Sequence, residues 1–210
     1  MVWQVGCRPT KKFPGIDFGP GGFSEVRVID LDPGEPELYQ IAASAFRYGR
    51  RVSALEIPNT AKWCSDSPPD DYFTAHGIPF VSGDLRAAIE MVEPGIHQFL
   101  PLSISKLGGA DEYQYWYWVV CNRFDTVDRD RTNLVLYRNL IWLTRDAAER
   151  APVPSGEPVR IVFTSEGVGE AQFWRDAYMR QNHLFISRHA VKLLEPQGYT
   201  GISFAEREVS

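Results

Sequence analysis

Cysteine is scarce. Cys7, Cys64 and Cys121 are odd in number, widely spaced and form no C-x-x-C pair. Neither a disulfide framework nor a zinc knuckle is expected, and a reducing compartment fits. Long apolar runs are missing as well, with none near the roughly 18 residues of a membrane span. The start, Met1-Val2-Trp3-Gln4-Val5-Gly6-Cys7-Arg8, lacks the basic stretch and apolar run of an export signal. These absences lead to the expectation of a cytoplasmic protein, neither exported by the ordinary route nor embedded in a membrane.

Positive charge is nowhere in excess. The formal net charge is −5 and neither half of the chain is basic. A nucleic-acid binder needs a basic stripe to displace condensed counterions, so DNA and RNA are not expected as ligands. The mild acidity would suit a basic protein partner, and it suits solubility equally.

Catalytic and metal-binding spacings are also missing. His76, His97, His183 and His189 form no H-E-x-x-H, no H-x-H and no close His/Cys/Asp cluster, so no metal and no cofactor is expected. His97 lies in an apolar stretch and reads as a hydrogen-bonded core or edge residue. His183 and His189 flank Ser187 and read as polar residues at a helix start. No G-x-S-x-G elbow is present. Gly19-Pro20-Gly21-Gly22 lacks the Lys-Ser/Thr ending of a phosphate loop. Thr164–Glu170 has the strand-to-helix setting of an anion site, but Glu166 and Glu170 argue against phosphate there.

Aromatic residues are plentiful, at 13%. Large rings build cores and anchor interfaces, so this richness serves either. Hydrophobic residues at 44% and charged residues at 23% are ordinary for a folded chain. Alternating patterns predict strands at Glu25–Asp30 and Arg51–Ile57, separated by a turn at Asp32–Pro36. The polar, proline-broken run Ser65–Asp71 marks a lobe boundary or a long exposed loop. It suggests a loop-rich N-terminal lobe over 1–75 and an α+β domain over 76–210.

Beyond that run the signals sharpen. Ser82 is a helix N-cap after a short strand at Phe80-Val81, and Leu85, Ala88, Ile89 and Val92 form one apolar stripe. Pro94-Gly95 stops the helix, and Ile96–Ser105 follows as a strand. Tyr113–Cys121 is bulky on both faces, which predicts a central strand covered on both sides. Strands are further predicted at Leu134–Tyr137, Leu140–Leu143 and Pro158–Phe163, with a loop at Ala151–Gly156. Ala171, Trp174, Ala177 and Tyr178 predict a helix over Val168–Arg180. Leu184–Ile186 is a strand, Ser187 a second N-cap, Ala190, Leu193 and Leu194 a stripe, and Gly201–Glu206 a last strand. Phe80-Val81-Ser82 and Phe185-Ile186-Ser187 thus open two similar strand–helix–strand units. Either duplication or chance recurrence of a common local solution explains the pair. The expected fold is α+β: a mainly antiparallel, aromatic-rich sheet with about three short helices.

Several segments stand in an order that resembles the Imm11-like immunity proteins (DUF1629). They are Phe80–Leu85, Glu93–Pro101, Val119–Asp128, Phe173-Trp174-Arg175, Leu184–Ser187 and Tyr199–Phe204, which together cover about residues 78–206. The resemblance implies a cytoplasmic immunity protein that neutralises a cognate toxin by surface occlusion. It supplies no catalytic residues. The alternative is an enzyme of unknown type acting on a small molecule or a modified protein.

Two groups of residues are singled out. Trp63, Tyr72 and Phe73 flank the acidic loop with Asp66, Asp70 and Asp71, and rings beside carboxylates would suit a basic groove on a protein partner. A solvated loop with partly buried rings is the competing reading. Asn122, Arg123, Asp125 and Asp128, with Arg175, form a dense polar cluster. It reads as a binding or catalytic edge, or as pairs that hold turns and keep the surface soluble.

Overall fold

A computed structural model describes residues 2–10, 15–20, 22–23, 26–30, 48–138, 141–149, 158–164, 167–179 and 183–207. The expected turn at Asp32–Pro36 and the expected loop at Ala151–Gly156 lie outside these residues. Among the described residues the chain forms thirteen strands and three short α-helices. The fold is α+β, with mixed, mostly antiparallel sheets.

The six-stranded sheet contains β2 (Ile16–Asp17), β3 (Thr60–Trp63), β4 (Tyr72–Ala75), β5 (Ile78–Ser82), β6 (Gln98–Lys106) and β7 (Glu112–Val119). Its order is β2-β3-β6-β7-β5-β4, and only β3–β6 is parallel. Strands β4 and β5 are joined by His76-Gly77. Both residues have positive φ (52° and 76°), as a two-residue primed turn requires. The five-stranded sheet contains β1 (Val2–Arg8), β8 (Arg123–Phe124), β11 (Phe173–Asp176), β12 (Leu184–Ser187) and β13 (Gly201–Arg207), in the order β13-β1-β12-β11-β8. A separate hairpin joins β9 (Leu134–Tyr137) to β10 (Ile141–Thr144). Residues before 76 therefore add strands to both large sheets.

Strand β7 is central, as its two bulky faces predict. Tyr115, Tyr117 and Val119 enter one apolar cluster with Phe73, Phe80, Leu100 and Leu102. Trp118 and Val120 face a second cluster, built with Val5, Phe173, Leu184 and Ile186 from the other sheet. Both sheets thus share one core. Two helices close it: α1 (Gly83–Val92) inserts Leu85, Ala88 and Ile89, and α3 (Arg188–Leu194) inserts Ala190, Val191 and Leu194. The short α2 (Arg145–Glu149) follows β10.

The two units legible in the sequence share one topology. Strands β5 and β6 both pair antiparallel with β7, and α1 joins them. Strands β12 and β13 both pair antiparallel with β1, and α3 joins them. An outer strand completes each unit, β4 on β5 and β11 on β12. The registers match residue for residue. Trp116 lies opposite Val81, and Trp3 opposite Ile186. Phe99 lies opposite Trp118, and Phe204 opposite Val5. The central strand follows the unit in one case and comes from the N-terminus in the other.

The caps agree as well. Ser82 Oγ accepts from Leu85 N at 3.3 Å and Ser187 Oγ from Ala190 N at 3.1 Å. Each hydroxyl also donates outward, Ser82 to Asp71 and Ser187 to Gln172. Ser82→Ala and Ser187→Ala should each lower stability by about 1–2 kcal/mol, through a lost cap and a stranded acceptor. Urea unfolding reads the loss, and midpoints equal to wild type would show that the caps contribute nothing.

Four expected elements are corrected. Val168–Arg180 is not a helix; its centre is strand β11, and all four residues of β11 are buried. Phe173 and Arg175 face one side, Trp174 and Asp176 the other, so charged residues interrupt the apolar pattern of a strand covered on both faces. Pro158–Phe163 forms no strand and makes only one bridge, Val127 to Phe163. Side chains take over its ladder: Arg160 N donates to Asn133 Oδ1 at 2.7 Å and Val162 N to Thr132 Oγ1 at 3.0 Å. Glu25–Asp30 and Arg51–Ile57 likewise meet at a single bridge, Val28 to Val52. Gln98 occupies the other edge of Val52, accepting from its N–H at 2.9 Å and donating to its carbonyl at 2.8 Å. Glu25 itself lies outside the described residues.

Candidate functional site

Glu93, at the C-terminal end of α1, gathers four donors among the described residues. Oε1 accepts from Asn122 Nδ2 at 2.8 Å and Gln172 N at 3.2 Å. Oε2 accepts from Phe173 N at 3.0 Å and His97 Nε2 at 3.1 Å. One residue therefore joins α1, the β7–β8 link and the start of β11. Burial pushes the carboxyl pKa up, but the hydrogen bonds from His97, Gln172 and Phe173 outweigh it and hold the group below the ordinary carboxylate range. His97 is a buried, hydrogen-bonded core residue, as expected. Its Nδ1 accepts from Cys121 N at 3.3 Å, so the imidazole bridges Glu93 to β7's end.

The equivalent place in the other unit carries Thr200 and Asp71. Thr200 N and Oγ1 donate to Asp71 Oδ2 at 2.9 and 2.8 Å. Asp71 N donates to Thr200 Oγ1 at 2.9 Å, and Tyr72 N to Thr200 O at 3.0 Å. In each unit, the segment after the helix clamps the outer strand of the other unit. A third carboxylate, Asp176, accepts from Thr126 N at 2.9 Å, Thr126 Oγ1 at 3.0 Å and Tyr178 N at 2.9 Å. Burial pushes its pKa up against those bonds.

The acidic segment and its rings separate in space. Trp63 (4% exposed), Tyr72 (3%) and Phe73 (1%) are core residues. Phe73 stacks on Phe80 at 4.8 Å and tilts against Trp63 at 5.4 Å. Trp63 Nε1 donates to Ser67 O at 2.8 Å, pinning the loop from beneath. Asp71 is spent on Thr200 and Ser82. Asp70 accepts from Thr10 N at 2.9 Å. Asp66 is fully exposed and pairs with Lys106 at 3.1 Å, which raises the lysine pKa.

The polar cluster divides too. Arg175 is 1% exposed, and its backbone N donates to Asn122 O at 2.9 Å. Burial lowers the Arg175 pKa to about 10. Asn122 belongs to the Glu93 hub, and Arg123 is half-buried in β8. Asp125 pairs with Arg129 at 2.5 Å on the surface. Asp128 accepts from Asp130 N and Arg131 N at 3.0 and 3.1 Å and holds a turn. His183 Nδ1 meets Gln4 Nε2 at 2.7 Å, and His189 is exposed. Glu93, Thr126 and Asp176 were not singled out from the sequence. No local signal marks them, because most of their partners are distant along the chain: Asn122, Gln172 and Phe173 for Glu93, and Thr126 with Asp176.

One face is left uncovered among the described residues. Helix α1 covers the β5 side of the six-stranded sheet, while Thr60, Lys62, Pro101, Ser105 and Gln114 on β3, β6 and β7 are exposed. At its inner edge the Arg86 guanidinium lies over Trp116 at 5.0 Å and Phe99 at 5.6 Å.

The architecture is that of an α+β protein with two topologically matched units, each clamped to the other through the turn after its helix. A family model for the immunity protein family Imm11 matches residues 26–209, and the chain belongs to that family. The match begins well before residue 78, where the resemblance becomes legible by eye. No curated protein matches the chain. Among the described residues, no helix is long and apolar enough to cross a membrane.

Proposed function

We propose that this protein binds a cognate bacterial toxin in the cytoplasm and neutralises it by covering the toxin's working surface. Membership of the immunity family across residues 26–209 is the observation that carries this reading. The chemistry of the interior supports it. Glu93, Asp71 and Asp176 are each held by several backbone and side-chain donors, an arrangement that stiffens a frame and leaves none of these three poised as a base. A stiff frame suits a binder, because a preorganised surface loses little entropy on docking. The action is stoichiometric and not catalytic. Of the acidic segment, Asp66 is the residue placed to meet a partner, and the buried rings hold its loop in position.

The test is co-expression with the toxin domain encoded beside this gene. Cells carrying that toxin domain alone should stop growing, and cells carrying both proteins should grow. Growth arrest in both would sink the reading, as would protection that persists when the two proteins do not bind each other.

A further inference from the structure

We infer that the toxin docks on the open face of β3, β6 and β7, with a toxin carboxylate seated on Arg86. The inference rests on the toxin-binding reading above and assigns its surface.

The geometry at Arg86 is the starting point. Its guanidinium lies over two rings, Trp116 at 5.0 Å and Phe99 at 5.6 Å. The rings hold the cation through their faces, by cation–π attraction. Its N–H edges carry no hydrogen bond or ion pair to any described residue. Glu90, one turn along α1, has a carboxylate oxygen 3.3 Å from Gly95 N, and Glu112 across the face takes Ser103 Oγ. An arginine clamped in this way has lost its rotamer freedom before any partner arrives. Its fork of donors fits a carboxylate in two-point contact.

The second unit shows what the fold does without this demand. Trp3 and Phe204 stand where Trp116 and Phe99 stand, with the same register beside the helix. The residue four places after the capping serine is Val191 there, 3% exposed, and it seals the helix onto the sheet. In the first unit the same place holds Arg86, half-exposed, over two half-exposed rings. An apolar residue would close this gap, so the arginine is not needed for packing.

The surroundings match a contact surface. Arginine and tryptophan are the side chains that most often dominate binding energy, inside a polar rim. Here Pro101 and Gln114 border the stack, and Lys62 and Thr60 extend the face along β3. Lys106, the last residue of β6, alternates to the other face of the sheet, so its pair with Asp66 borders the strand ends and not the open face itself. A partner acid on Arg86, with apolar side chains over Trp116 and Pro101, complements the face in charge and shape.

The experiment measures binding of the purified, catalytically inactivated toxin domain from the adjacent gene to full-length variants by calorimetry. Arg86→Glu should weaken binding about 100-fold and Arg86→Lys about 10-fold, with unchanged thermal unfolding. Pro101→Arg, on the open face and away from the core, should also weaken it. Asp130→Lys, on a distant turn, should not. Reversing one toxin carboxylate to lysine should restore binding to Arg86→Glu. Tight binding by wild type and equally tight binding by Arg86→Glu and Pro101→Arg would overturn this surface and leave the immunity reading standing. No binding by wild type would overturn both. If Arg86→Glu instead abolishes a wild-type dimer and leaves toxin binding intact, the occupant is a second copy and the assignment fails.

Discussion

Glu93→Ala is expected to lower folding stability by about 3–5 kcal/mol, a large share of what a domain this size has in total. The side chain accepts four hydrogen bonds from three separate segments. Truncation strands two backbone N–H groups, an amide and the His97 imidazole beside Phe173 and Trp118. Each stranded donor carries a desolvation cost of about 1–3 kcal/mol, partly relieved by water entering the space. Glu93→Gln should be milder but still harmful, because its NH2 faces donors where acceptors are needed. The pH dependence has a definite sign. The folded carboxyl titrates below its unfolded value of 4.5, so the native state holds the proton less tightly than the unfolded chain. Its stabilisation is fully present above the unfolded value and is lost as pH falls through the depressed folded one. In Glu93→Gln the loss of stability between neutral pH and acid should therefore be shallower than in wild type. Identical acid profiles for the two proteins would contradict the hub.

Gly201→Ala should cost about 3 kcal/mol or more, from backbone strain and collision together. Gly201 opens β13 with φ +78°, and a Cβ there would lie 2.0 Å from Tyr72 O and 2.6 Å from Asp70 Cβ. Tyr72 belongs to the clamp in which Thr200 holds Asp71 and Tyr72, and Asp70 adjoins it. Backbone has to move, and the joint between β13 and β4 moves with it. The variant should show a lower urea midpoint and faster amide exchange at Tyr72 and Thr200, with less change at Phe173. Gly198 is a useful contrast. It also has positive φ (+71°) but meets nothing within 4 Å, so its alanine variant carries strain without the collision. Equal losses at the two glycines would show that the close approach contributes nothing.

Much of this frame could be read from the chain. Ser82 and Ser187, each followed after three residues by an apolar stripe, marked both helices. The bulk on both faces of β7 marked it as central. What escaped did so for physical reasons. Strand β11 places Arg175 and Asp176 inside, and buried charge breaks the apolar alternation by which strands are recognised. The spacing of Ala171, Trp174, Ala177 and Tyr178 then imitated a helix. Glu93 follows a helix and precedes Pro94-Gly95, which reads as an ordinary stop, while two of its partners lie 79 and 80 residues away. The burial of Tyr72 and Phe73 was hidden by the neighbouring Asp70 and Asp71, since a strand can begin one residue after a charged turn. The Arg86 stack was also invisible, because Phe99 and Trp116 meet only through the pairing of β6 with β7.

The most direct measurement is a titration of this protein into a fixed amount of the toxin domain proposed as its partner, with residual toxin activity as the readout. Stoichiometric occlusion predicts a linear fall that ends at one equivalent, with both proteins unchanged in mass and activity returning when they are separated. Loss of activity at a small fraction of an equivalent, or a toxin left covalently altered after separation, would contradict it and point to an enzyme.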